Sequence, residues 1–357
     1  MTALEPPHSN VPAPRGVASS PARRERGALL AAIVGYATLS GFGTLVLPHL
    51  MRRPEAAVPL GALIAALAAL AVLPAAVLIE VAVVGWRRSS LRQLWTAPTA
   101  SMKTDAAFLA LSHVQFTDIA GKMVMLGAAM VVGLWVRGWI FARTGVELGL
   151  PGLATPLQVA AYFALFTFLD YWAHRLYHSR VFWPLHRFHH AARDFSVINS
   201  VRAHPAAVLG NFVVTLPLAI LGASPLVVIW ANALAQGLSL LIHSRIDSDW
   251  GWFGRWVLQS PNHHRAHHKR DIAIPTGNFS LAPIWDRLFG TWDAAAGPDL
   301  EIGVDTAYRH GLWIWPDIWR DFRDFCAGVV RTSRQRRRDS FHHGEHGVHG
   351  GGRQRTF

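Results

Sequence analysis

Cysteine and charge are what this chain has least of. A single cysteine, Cys326, in 357 residues excludes an internal disulfide framework and any cysteine-based metal site. Charged residues make up only 16% of the chain and hydrophobic ones 51%, against roughly a quarter charged in soluble domains. That deficit points to a bilayer rather than water as the solvent. A dinucleotide-binding fingerprint is also missing. Gly41-Phe42-Gly43 falls inside an apolar run with no strand before it and reads as a packing feature. Nor is a haem or iron–sulfur module evident, so any redox chemistry must draw its electrons from a separate protein.

The charge that is present is mostly positive, +12 in all. Its placement argues against nucleic acid, because the basic residues sit in tails, loops and positions flanking apolar runs, where lipid headgroups and membrane topology account for them. Residues 1–27 read as a disordered tail ending in Arg23, Arg24 and Arg26. The region 28–141 carries apolar runs at about 28–50, 57–85 and 119–141, each long enough to span a bilayer. Glu80, near the end of the second, is expected to reach the interface. Residues 87–118 are partly amphipathic. A fourth run, about 157–173, leads to a histidine-rich region, and an apolar hairpin follows at about 205–222 and 225–242. The positive-inside rule puts the N-terminus, Arg87, Arg88, Arg92, Lys103 and the histidine region on the cytoplasmic side. The expectation is an all-α, polytopic membrane protein with four to six spans, both termini cytoplasmic and a helical metal domain on that face. Residues 296–330 read as an interfacial aromatic segment around Leu312-Trp313-Ile314-Trp315 and Trp319. Residues 331–357 read as a disordered basic tail rich in histidine and glycine, without preset ligand geometry.

Histidine is the residue in surplus. Eleven of nineteen lie between His174 and His268. They form H-R-L-Y-H (His174, His178), H-R-F-H-H (His186, His189, His190) and H-H-R-A-H-H (His263, His264, His267, His268), with His204 and His243 between. Spacings of i, i+4 and i, i+3, i+4 put the rings of each box on one helix face. Imidazole suits iron, copper, zinc and nickel. So many imidazoles exceed what one tetrahedral ion takes, and two metals are the natural count. Asp170, one turn before His174, is placed to accept that ring's second N–H. Ser260-Pro261 reads as an N-cap and first helical position, and Pro205 after His204 as another helix start.

Taken together, these segments resemble the fatty acid hydroxylase/sterol desaturase superfamily of integral-membrane di-iron oxygenases. The resemblance covers about 160–295. It rests on Asp170-Tyr171-Trp172-Ala173-His174-Arg175-Leu176-Tyr177-His178, His186-Arg187-Phe188-His189-His190, Arg202-Ala203-His204-Pro205, Ile242-His243-Ser244 and Pro261 to His268. The closing runs Gly277-Asn278-Phe279-Ser280 and Ile284 to Thr291 belong to the same pattern. It implies a catalytic domain at 157–295 that hydroxylates or desaturates a lipid C–H bond. Two iron ions, replaceable by zinc on purification, would use dioxygen and electrons from a reductase, ferredoxin or cytochrome. The implied ligands are His174, His178, His186, His189, His190, His243, His264, His267 and His268, with His204 as a further candidate. His263 departs from the pattern and is left out. Asn278 and Asp286 are assigned to stabilising the loop and helix that close the site. The competing reading is a membrane metal-binding protein without oxygenase activity, a transporter or sensor. A transporter would carry its ionisable ligands at bilayer depth, whereas these boxes adjoin the apolar runs.

Overall fold

The computed structural model describes residues 60–345, apart from 115, 116, 151 and 272. The expected tail at 1–27, the apolar run at 28–50 and the end of the basic tail lie outside the described residues. Everything regular among them is helical; the one β-contact is an isolated bridge between Lys269 and Ile302.

The first helix, α1 (Leu60–Val84), is an Ala/Leu/Val run that carries Pro74 inside it. Glu80 near its end does not reach outward. It is 1% exposed, and its carboxylate accepts hydrogen bonds from the Ser90 amide at 2.5 Å and the Ser90 hydroxyl at 2.8 Å. The first turn of α2 (Ser90–Thr96) supplies donors that no intrahelical carbonyl can take, and Glu80 satisfies them. α3 (Ala100–Val114) follows, then α4 (Thr117–Thr144) and α5 (Thr155–Tyr177). The second histidine box lies on α6 (Trp183–His190), and the apolar hairpin on α7 (Leu209–Ile220) and α8 (Pro225–Ile242). Both hairpin arms open at a proline: Pro205 starts a short 3₁₀ turn before α7, as the sequence suggests, and Ser224 caps α8 through the Val227 amide.

Helices α4, α5, α7 and α8 share one apolar core built from Met130, Tyr162, Phe166, Leu218, Val228 and Ile242 among others. Close approach of α4 to α7 depends on Gly133, where a Cβ would stand 2.4 Å from that of Ala219. A second core joins Phe108 of α3, Phe188 of α6, Tyr308 and the start of α12 (Trp315–Glu345) at Ile318. Between these lie three short helices, α9 (Gly251–Trp256), α10 (Pro261–His267) and α11 (Pro283–Leu288).

Among the described residues, two helical segments are long and apolar enough to cross a membrane, Val124–Thr144 and Pro225–Ile242, with shorter apolar helices at Ala71–Val84 and Pro205–Ile220. The outer face of α4 carries exposed Val131, Leu134, Trp135, Trp139 and Phe141. α12 differs from expectation at its far end. Helix continues to Glu345, into the stretch read as a disordered tail, where the run of arginines favours helix.

Candidate metal centre

Three histidine boxes arrive at one place from three helix ends. His174 lies in the last turn of α5 and His178 is its C-cap. His186, His189 and His190 line α6. His264 and His267 lie in α10 with His268 as its C-cap, and the Ser260 hydroxyl caps that helix by accepting from the His263 amide, as its sequence predicts. His243 caps the C-terminus of α8.

The rings fall into two adjacent groups. One contains His174, His178, His186, His190 and His267; the other contains His189, His243, His264 and His268. Within each group the ligand nitrogens lie within 4.8 Å of one another. The groups touch: the His190 and His268 rings stack with centroids 4.2 Å apart, and His186 stacks on His189 at 5.1 Å. All nine histidines expected from the three boxes and His243 are thus brought together.

Backbone carbonyls decide which nitrogen of each ring faces inward. The Nδ1–H groups of His174, His178 and His267 donate to the carbonyls of Phe279 (2.6 Å), Pro275 (2.8 Å) and Gly277 (2.6 Å). Those of His189 and His243 donate to Arg202 and Ser239 carbonyls at 3.0 and 2.6 Å. A carbonyl can only accept, so these five rings carry their proton on Nδ1 and present an Nε2 lone pair to the centre. Yet Nε2 of His174 lies 3.1 Å from Nε2 of His267, and Nε2 of His189 lies 3.2 Å from that of His243. No proton is available between either pair. Burial, the largest cause, pushes His174 and His243 down to about 4 and His178, His189 and His267 well below the ordinary histidine range. Protonating the rings is therefore not the remedy. Facing lone pairs need a cation, and two nitrogens about 2.1 Å from a common ion at right angles stand about 3.0 Å apart. Nε2 of His178 and both nitrogens of His190 are buried with no hydrogen-bond partner, which a metal would also remedy. The donor set fits metal ions.

The two remaining sequence candidates fall elsewhere. His204 lies outside both groups. Its Nδ1 accepts from the Ala206 amide at 3.1 Å, and its Nε2–H donates to the Ile318 carbonyl at 3.1 Å. Both nitrogens are committed, so the ring caps the turn at Pro205 and ties it to α12. Asp170 does not accept from His174, because the Phe279 carbonyl already does. His263 pairs with the Ser260 hydroxyl and stays out of the groups.

Sequence reading identified the run from Gly277 to Ser280 as part of the site-closing pattern but missed the three carbonyls that loop 275–279 contributes to one group. Gly277 is required there, since a Cβ would meet the Thr291 carbonyl at 2.8 Å. Asn278, in left-handed conformation with φ of 58°, donates to the His263 carbonyl and accepts from the Asp293 amide. Asp286 accepts from the Phe279 and Ser280 amides and from the Thr291 hydroxyl, each at 2.8 Å. These two side chains hold the loop. On α6, Arg187 sits between clustered histidines and binds Asp321 of α12 at 2.6 Å and Asp324, while the Tyr308 hydroxyl also donates to Asp321 at 2.5 Å.

Comparison with known proteins agrees with this site. A match to the fatty acid hydroxylase family covers residues 159–291. The chain is 32% identical over 212 residues to an ornithine lipid hydroxylase of Rhizobium tropici, covering 55% of this chain and 63% of that protein. It is 25% identical over 234 residues to an alkylglycerol monooxygenase of Danio rerio, covering 62% and 51% respectively. The human alkylglycerol monooxygenase is 28% identical over 162 residues, 42% of this chain and 36% of its own length. The chain thus spans between about a third and somewhat under two thirds of the length of these three relatives. No solved structure matches it. The matched region contains every one of the nine clustered histidines, so it is over the metal centre itself that the chain is similar to the fatty acid hydroxylase family.

Proposed function

We propose that this protein is a membrane-bound, iron-dependent lipid hydroxylase. The observation that carries the reading is the pairing of Nε2 lone pairs at 3.1 and 3.2 Å in two adjacent groups. A pair of iron ions held there supplies dioxygen reduction and the oxidising power for C–H cleavage. The overall reaction balances as R–H, dioxygen, two electrons and two protons giving R–OH and water, with the electrons from a separate donor protein.

His174, His178, His186, His190 and His267 would hold one ion, and His189, His243, His264 and His268 the other. His174 and His186 are the most accessible rings of the two groups, so substrate approaches on their side. Tyr177 stacks on His186 with centroids 5.5 Å apart and donates to the Ala207 carbonyl, forming one wall of that approach. The apolar outer face of α4 and the two crossing-length helices support a multi-pass arrangement, and the distribution of arginine and lysine along the sequence favours the cytoplasmic side for the histidine groups. The relatives named as a lipid hydroxylase and as monooxygenases favour hydroxylation over desaturation.

The test is purified protein assayed for iron and for dioxygen-dependent hydroxylation of membrane lipids by mass spectrometry. About two irons per chain and a product gaining one oxygen are expected, both lost in His267→Ala. A single zinc with no dioxygen consumption under any reductant would refute the reading.

A further inference from the structure

Helix α12 leaves one of its sides uncovered. Its turns from Trp315 to Val330 have an inner face that packs on the protein. There Ile318 joins the core with Phe188, Asp321 binds Arg187, and Phe325 meets Phe182 with ring centroids 5.4 Å apart. Trp315, Trp319, Phe322, Cys326 and Val329 follow at helical steps of four, three, four and three residues, which lines them up as one stripe. All five are exposed, Trp319 by 67%, and Val330 widens the stripe. Arg323 and Arg334 lie along its open edge, with Arg331 beyond them, all exposed. The acidic residues of these turns point the other way: Asp317 and Asp321 are buried, and Asp324 binds Arg187.

Where the helix is tied down indicates what covers that stripe. His204, the residue before the apolar helix Pro205–Ile220, donates from Nε2 to the Ile318 carbonyl at 3.1 Å. Its ring stacks on Phe322 with centroids 6.3 Å apart. The stripe therefore starts at the level where that apolar run starts, and Leu312 and Trp313 just before it are exposed as well. Tryptophan at the end of an apolar run, with arginine alongside, is the composition of the headgroup zone. Water is a poor neighbour for so many contiguous apolar side chains. A second copy of the chain could match the four-three spacing, but it would bring Arg323 and Arg334 against a like-charged edge. Anionic headgroups attract those same arginines.

We propose that the outer stripe of α12 is a docking surface for an anionic membrane: Trp315, Trp319, Phe322 and Val329 enter the headgroup zone of the leaflet on the metal groups' side, and Arg323, Arg331 and Arg334 meet its negative charge. The surface does not depend on which reaction the metal groups perform.

The experiment uses the full chain in vesicles of phosphatidylcholine alone or mixed with phosphatidylglycerol. A spin label is placed on Cys326, the chain's only cysteine, and, with Cys326→Ser, on Trp319→Cys, Val329→Cys or Ala327→Cys. Collision of each label with oxygen and with a water-soluble nickel complex is measured, and bound metal and thermal midpoint confirm that each protein is folded. In the mixed vesicles the labels at 319, 326 and 329 should favour oxygen, and the label at 327, which points away from the stripe, should favour nickel. Replacing Arg323, Arg331 and Arg334 together by glutamine should raise nickel collision at Cys326 roughly threefold or more in the mixed vesicles. Nickel access at every label would overturn the proposal by leaving the stripe in water. Oxygen preference that ignores both lipid charge and the arginines would overturn the anionic partner. Dipolar broadening between labels at Cys326, with disulfide cross-linking of the unlabelled protein on oxidation, would give the stripe to a second copy of the chain. Labels closed to both probes would give it to another part of the same chain; either result overturns the proposal.

Discussion

At His190 burial is complete and neither ring nitrogen meets a hydrogen-bond partner. An unsatisfied buried polar group costs about 1–3 kcal/mol, so in the metal-free protein this ring is a liability. His190→Leu is therefore expected to leave the metal-free protein as stable as wild type or more so, while lowering bound iron; a fall in both would show that the ring serves packing instead. Acid provides a second test. His174 and His243 titrate near 6.5 when unfolded and near 4 when folded, because burial disfavours the charged ring. A depressed histidine leaves stability intact above the unfolded value and removes it as pH falls toward the folded one, since the unfolded chain then binds more protons. The thermal midpoint of metal-free protein should drop steadily between pH 6.5 and about 4. A midpoint independent of pH over that window would contradict the buried, neutral state of the cluster.

Among the elements, the loop 275–279 and helix α12 matter most to the site. Asp286 anchors the loop through two amides and a hydroxyl. Removing partners that orient metal-binding histidines typically costs 10–100-fold in metal affinity, and Asp286→Ala should show a loss of that size in metal titration. α12 holds α6 through Asp321, whose side chain is fully buried against Arg187 and Tyr308. Breaking a buried pair on one side costs roughly 3–5 kcal/mol, so Asp321→Ala should lower the thermal midpoint markedly, and an unchanged midpoint would mean the clamp carries no load. Little of this was legible beforehand. Histidine spacing located the helix faces of all three boxes, and Ser260-Pro261 and Pro205 marked helix starts, because side chains carry those signals. A main-chain carbonyl has no side-chain signature, so Asp170 stood in for Phe279, and His204 looked like a ligand until its tautomer was fixed from both sides. Glu80 looked interfacial because the cap it provides to α2 is ten residues away in sequence.

For the molecule as a whole, orientation in the bilayer is the property most open to direct measurement. Cys326, the chain's only cysteine, is exposed on α12, beside the helix that carries the second box. A membrane-impermeant thiol reagent should label it from the cytoplasmic side of sealed vesicles and not from the other; the opposite labelling would invert the proposed topology. The loop beneath the first metal group carries a separate consequence. Pro275, Gly277 and Phe279 orient three imidazoles by main-chain atoms alone, at alternate positions along one short span of backbone. Exchanging the side chain of Phe279 leaves its carbonyl in place, but deleting a single residue would shift the phase of that alternation and misalign three rings in one stroke. What the site requires of this stretch is therefore its length, more than its letters.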